Sequence, residues 1–314
     1  MCDIACAAAA GVIARVPCHP LDTIKTVSLC SAGAHEATGA GGLRGAARSI
    51  YAREGAAGFY RGVGIASVGS APGVALYITT YSHTKAALEA PLASVGCHSA
   101  VSHLAAGFVA EAVSCVFWVP IDVVKERLQA QDPSVRGRYA SSWDGVKCVF
   151  EREGLRGLYR GYFVTLGSFG PYSAIYFAAY EGFQARLAPA AGTTDGSSKT
   201  AATSGLVGVA CGALGNVVAC TLTNPLEMVK TRLQVQQAML ADAGGDVKPS
   251  RQFRYVYRGL FDGLRTIARE EGVLAGWKGL GSRIAYTAPN AALTFGLYSA
   301  LKAKLCVGSS TNKL

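Results

Sequence analysis

Residues 20–28 read PLDTIKTVS, and the same pattern returns as PIDVVKERL at 120–128 and PLEMVKTRL at 225–233. Each copy has a proline, an acid two residues on and a lysine three further on, at intervals of 100 and 105 residues. A second signature follows each one: EGAAGFYRG at 54–62, EGLRGLYRG at 153–161 and EGVLAGWKG at 271–279. A lone Pro-x-acid-x-x-base arises by chance at roughly one position in a thousand, so a single copy would carry no information. Three copies in phase, each followed by the second signature, mean one structural unit used three times. The units are expected at residues 1–92, 93–192 and 193–314.

Composition points to a membrane. Half of the 314 residues are apolar, 16% are charged and 38 are glycine, with a mean hydropathy of +0.26. Abundant glycine in an apolar chain suits helices that pack closely in lipid. The net charge of +10 sits in the short segments between apolar stretches, as in loops beside anionic lipid. No reading motif with interleaved aromatics accompanies it, so no nucleic-acid partner is expected. The ten cysteines form no CxxC and pair with no histidine at ligand spacing, and the five histidines make no metal set. Buried thiols of this kind act as small hydrophobes. No nucleophile with a base and no metal cluster stands out, so neither catalytic residues nor a cofactor is expected, and the chain does not read as an enzyme.

Six apolar stretches are long enough to cross about 30 Å of hydrocarbon as helix. They fall at 4–29, 62–83, 98–128, 161–181, 200–233 and 280–301. The odd-numbered ones carry the proline motif near their ends, where Pro20, Pro120 and Pro225 each remove a backbone hydrogen bond and kink the helix. Small residues recur every fourth position (Ala7 and Gly11; Ser102, Ala106 and Ala110; Gly208 and Gly212), a spacing that brings helices together. Each pair of stretches is joined by a short amphipathic segment, at 43–54, 139–153 and 257–271. Residues 86–97, 186–199 and 236–254 read as linkers or loops.

This pattern resembles the mitochondrial carrier family, whose hallmark is Pro-x-[Asp/Glu]-x-x-[Lys/Arg] on three odd helices with an acidic-Gly-x(4)-aromatic-basic-Gly motif after each. The likeness covers essentially the whole chain. It implies an all-α membrane protein with six transmembrane helices in three pseudo-three-fold repeats. It also implies short amphipathic helices on the matrix side, a monomer, and a central site opening alternately to each side of the inner mitochondrial membrane; some relatives sit in peroxisomes. The resemblance pairs Asp22 with Lys125, Asp122 with Lys230 and Glu227 with Lys25 as a matrix gate. Gln129 and Gln234 would brace it, while Leu29 occupies the first brace position. On the cytoplasmic side, YSHTK (81–85), YEGFQ (180–184) and YSALK (298–302) leave only Lys85, Glu181 and Lys302 as gate charges, a weak gate that favours opening toward the intermembrane space. Arg61–Gly62, Arg160–Gly161 and Lys278–Gly279 resemble the family's cardiolipin contacts, where backbone N–H groups at a helix start and a flanking base attract phosphate.

An asymmetric solute is recognised where the three-fold symmetry breaks. Positions matching the family's contact points are Gly69 and Ser70, Ser168 and Phe169, and Tyr286 and Thr287. Arg15 is a lone positive charge five residues before its proline, and Glu111 lies one helical turn further from Pro120. One positive group, one negative group, aromatics and hydroxyls suit a zwitterionic or mixed metabolite. PLDTIKT, GSAPGVALYITTY (69–81) and the Glu111–Pro120 spacing are similar to the S-adenosylmethionine carriers. The SAPGVA element (70–75) lacks the histidine of the iron-carrier branch. Amino-acid and nucleotide or cofactor carriers are the alternatives, as is a carrier-fold protein that has a structural or interaction role without transport.

Overall fold

The computed structural model describes residues 2–30, 43–94, 99–131, 139–187, 198–242 and 257–305. Among these residues there are helices and no strands. Six are long: α1 (Cys2–Cys30), α3 (Val63–Ser94), α4 (Ser99–Ala130), α6 (Tyr162–Leu187), α7 (Ser198–Asp242) and α9 (Leu280–Leu305). Three are short: α2 (Leu43–Glu54), α5 (Ser142–Leu158) and α8 (Leu260–Glu270). The long helices close a ring in chain order, each touching the next and α9 returning to α1. The three odd members, α1, α4 and α7, also touch one another. Pro20, Pro120 and Pro225 lie inside these three helices.

Each short helix docks on the end of its own odd helix through the same two positions. Ile24, Val124 and Val229, four residues after the prolines, sit in clusters with Ile50, Val149 and Ile267, four residues before the signature glutamates. Burying such aliphatic side chains contributes about 1.5–3 kcal/mol each. The chain then turns on glycine. Gly55, Gly154 and Gly272, and again Gly62, Gly161 and Gly279, have φ between +66° and +87°, a region that only glycine adopts without strain. The repeated EG…G spacing is therefore a backbone requirement. In α5 it interrupts the helical φ/ψ at Gly154.

Several expectations are corrected. Residues 86–94, expected as linker, continue α3, because AALEA is a strong helix-forming run. Residues 236–242 likewise extend α7, and 243–256 lie outside the described residues, as do 188–197 of the second linker. The close helix approach in the third unit is not at Gly208, which meets nothing within 4 Å. It is at Gly215, where an added Cβ would lie 3.3 Å from the backbone of Tyr176 and Tyr180. Among the described residues, one segment by itself, Val101–Ala130, is long and apolar enough to cross a bilayer.

Candidate functional site

Three ion pairs join the odd helices where they converge. Lys25 Nζ lies 2.7 Å from Glu227 Oε1, Lys125 Nζ 3.0 Å from Asp22 Oδ2, and Lys230 Nζ 3.5 Å from Asp122 Oδ2. Lys125 also lies 3.9 Å from Asp122 on its own helix. Placing an acid and a base one helical turn apart points one at each neighbouring odd helix, so three motifs close one ring. Arg283 of α9 reaches Glu227 at 3.9 Å and donates to Thr223 Oγ1 and the Cys220 carbonyl.

The layer next to the ring is not symmetric. Thr26 Oγ1 donates to Gln129 Oε1 at 2.8 Å, and Gln129 Nε2 donates to Thr23 Oγ1 at 3.2 Å and Asp22 Oδ2 at 3.5 Å. The equivalent Gln234 is buried, and among the described residues neither of its amide atoms has a hydrogen-bond partner. At the third position Leu29 packs on Gly279, where even a Cβ would come within 2.9 Å of Leu29 Cδ2.

Outside this layer lie interactions that sequence reading missed. Buried Arg127 and Arg232, seven residues after their prolines, pair with Glu153 and Glu271 of the second signature. Their Nε atoms donate to the carbonyls of Gln234 (3.0 Å) and Leu29 (3.1 Å) on the next odd helix. Val27 occupies the same position in the first unit. The signal was present as an arginine common to two of the three motif copies. His19 and Asn224, each just before a proline, bond the carbonyls of Arg61 (2.7 Å) and Lys278 (3.1 Å). Gln131 and Gln236 each bridge, through both amide atoms, the backbone N–H and carbonyl of Tyr139 and Tyr257.

The corner bases are engaged by their own signatures: Arg61 pairs with Glu54, Arg160 with Glu153 at 3.7 Å and Lys278 with Glu271 at 2.9 Å. Burial alone would raise the Glu271 carboxyl. Hydrogen bonds and charge from Arg232 and then Lys278 outweigh it and hold the group below its ordinary value.

On one side of the ring opens a cavity of about 190 Å³ lined by Glu111, Thr165, Ser168, Phe169, Tyr172, Thr223, Glu227, Lys230 and Arg283. Ser168, Phe169 and Glu111 thus share one lining. The Glu111 carboxylate accepts from Cys115 Sγ at 3.4 Å. Tyr172 begins a face-to-face run with Tyr176 and Tyr180, ring centroids 6.3 Å apart at each step. The other expected contacts are not part of this lining. Arg15 donates to the Ala66 carbonyl at 3.3 Å and lies 4.9 Å over the Trp118 ring. This pairing joins α1 to α3 and α4. Tyr286 lies under Lys25, and Thr287 Oγ1 bonds back to the Arg283 carbonyl. Gly69 packs closely on α4, since a Cβ there would come 2.5 Å from Ile121 Cδ1. The side chain of Ser70 lies outside the described residues. At the far end Lys302 bonds Tyr298 Oη at 3.4 Å. Glu181 is exposed, and no ion pair joins it to Lys302 or Lys85 among the described residues.

A closed ring of paired long helices, with a charged cavity inside and a ring of ion pairs at one end, is the plan of a solute transporter. The chain belongs to the mitochondrial carrier family. It matches the family described as mitochondrial carrier protein three times, over residues 1–91, 97–190 and 202–308. It is similar to mitochondrial substrate carrier family protein E of Dictyostelium discoideum (31% identity, 94% of this chain, 93% of that protein). It is also similar to mitoferrin of Caenorhabditis briggsae (33%, 95% and 90%). S-adenosylmethionine carrier 1, chloroplastic/mitochondrial, of Arabidopsis thaliana matches at 32%, over 94% and 76%. Members of this family are small-molecule transporters, and the relatives matched here include mitochondrial and chloroplastic carriers.

Proposed function

We propose that the chain is a monomeric six-helix carrier of the inner mitochondrial membrane, working by alternating access. In this reading the three ion pairs are its matrix gate, closed here, and the opposite mouth is open. The observation that carries it is the cyclic pairing itself. Three charged pairs that tie each repeat to the next serve a closure that opens, since a permanent contact of that size is made as well by apolar packing. Large apolar side chains exposed on the long helices, such as Val68, Phe117 and Phe163, suit a lipid-facing exterior. Glu181, Lys302 and Lys85 are the charges of the weaker cytoplasmic gate. Cardiolipin would sit at the glycine corners on backbone N–H groups, because the flanking bases already have carboxylate partners.

The proposed solute is a zwitterionic or mixed metabolite such as S-adenosylmethionine. Glu111 would face its cation, Lys230 or Arg283 its carboxylate, and Phe169 and Tyr172 its aromatic ring. A second reading follows from the mitoferrin likeness, which is as high as that to the S-adenosylmethionine carrier. Thermal unfolding of the purified protein against a solute panel separates the two, since a ligand binding only the folded state raises its stability. S-adenosylmethionine should raise the melting temperature, and Glu111→Gln should remove the shift. A selective response to ferrous iron would replace this substrate, and no response to any solute would favour a non-transporting carrier fold.

A further inference from the structure

One buried acid near the ring has no part in it. Glu126, beside Lys125 on α4, is buried, and its Oε2 has no protein partner. The three-fold register says what it faces. Thr26, Glu126 and Thr231 stand six residues after their prolines, and Leu29, Gln129 and Gln234 stand nine after. In the first junction Thr26 of α1 donates to Gln129 of α4 at 2.8 Å. The same step places Glu126 of α4 toward Gln234 of α7, and Thr231 of α7 toward Leu29 of α1. The α4–α7 register is fixed independently by Arg127 Nε on the Gln234 carbonyl at 3.0 Å. The orphaned atoms match this map. Among the described residues Thr231 Oγ1, which this map turns toward a leucine, has no hydrogen-bond partner, and neither do Gln234 Oε1, Gln234 Nε2 and Glu126 Oε2.

The charges around Glu126 are Lys125 and Asp122 on its own helix, Lys230 on α7 and Lys25 on α1, and Arg232 of α7 acts with Glu126 on Cys30. The three lysines are committed to Asp22, Asp122 and Glu227, and Arg232 to Glu271. Arg283 approaches Glu227 from the cavity. An anionic Glu126 is therefore a buried charge with no ion-pair partner of its own among the described residues, which is costly. A neutral carboxyl is not. Its O–H is the donor that the threonine supplies in the first junction, and Gln234 Oε1 is the acceptor.

We propose that Glu126 and Gln234 form a proton-binding site that is filled when the ring closes and emptied when it opens. It rests on reading the ring as a gate. Glu126 lies on the side of the ring away from the cavity, so the proton comes from and returns to the compartment toward which the ring opens. Acidity there favours the closed ring. One proton per closure shifts the closed-to-open ratio by up to tenfold per pH unit.

The test needs no solute. Thermal unfolding of the purified full-length chain would be followed from pH 4.5 to 8 for wild type, Glu126→Gln, Glu126→Asp and Gln234→Leu. A group that stays protonated in the folded state contributes stability at low pH and loses it as pH rises. Wild type and Glu126→Gln should therefore melt together near pH 4.5, with the glutamine variant increasingly the more stable toward pH 8. Glu126→Asp should keep the pH dependence. Gln234→Leu should move the wild-type transition to lower pH. A constant difference between wild type and Glu126→Gln across the range, or a Gln234→Leu profile lying on wild type, overturns the proposal. If Glu126→Gln does not fold, the Gln234→Leu profile decides. Failure here leaves the carrier reading standing, since that reading depends on the solute response.

Discussion

Lys125 Nζ lies 3.0 Å from Asp22 Oδ2, and both side chains are shielded from solvent. The ammonium of α4 is thus the counter-charge of a carboxylate on α1. Removing one partner strands the other in a dry site, a more severe change than removing both. Lys125→Gln should cost about 3–5 kcal/mol of stability. The double variant Asp22→Asn/Lys125→Gln should recover a large part of that loss. Chemical unfolding of the single and double variants checks this, and additive losses would show that the pair is not coupled.

Gln129 uses both ends of its amide, on Thr26 and on Thr23 with Asp22. Gln129→Leu copies the residue that nature places at 29, and it removes the shorter of the two bonds of the Thr26 hydroxyl, which keeps the Asp22 carbonyl at 3.2 Å, and one contact of a ring acid. The expected loss is about 1–3 kcal/mol, measured as a lower unfolding midpoint. Thr26→Val in the same background should restore part of it.

Gly69 tests whether a position expected to touch solute is instead a packing site. Its missing Cβ leaves room for Ile121. Gly69→Ala should cost about 1–3 kcal/mol by overpacking, and Ile121→Val should relieve it. A change in solute affinity with unchanged stability would return Gly69 to the binding surface.

Glu271 gives a pH-dependent contribution. Its folded-state carboxyl is held below the ordinary value of 4.5 by Arg232 and Lys278. The stability it supplies is present above that value and is lost as pH falls through the lower, folded-state one. The gap in melting temperature between wild type and Glu271→Gln should be full at pH 6 and shrink below about pH 4.3.

The ring could be read in the chain because its information is local. Each motif holds its proline, acid and base within six residues, and three copies imply a cycle. The second layer could not be read in this way. Arg127 meets Glu153 and the Gln234 carbonyl across 26 and 107 positions of chain, and no periodicity announces such a pairing. Glu111, Ser168 and Phe169 were expected near a solute and do share the cavity lining. Tyr172 joins them in that lining, and no repeated motif in the chain marks it. Arg15 illustrates a different limit. Its place in the repeat was clear, but its engagement by Trp118 and the Ala66 carbonyl depends on how two other helices lean against α1.

Every repeat gives its acid to one neighbour and its lysine to the other, so the contact is head-to-tail and closes only after three steps. A chain cut back to its first two units would keep the Asp22–Lys125 pair. It would leave Asp122 and Lys25 facing each other across a missing third of the circle. Two units are therefore not two-thirds of a protein. The whole cycle is the smallest piece in which every ring charge keeps the partner it has here.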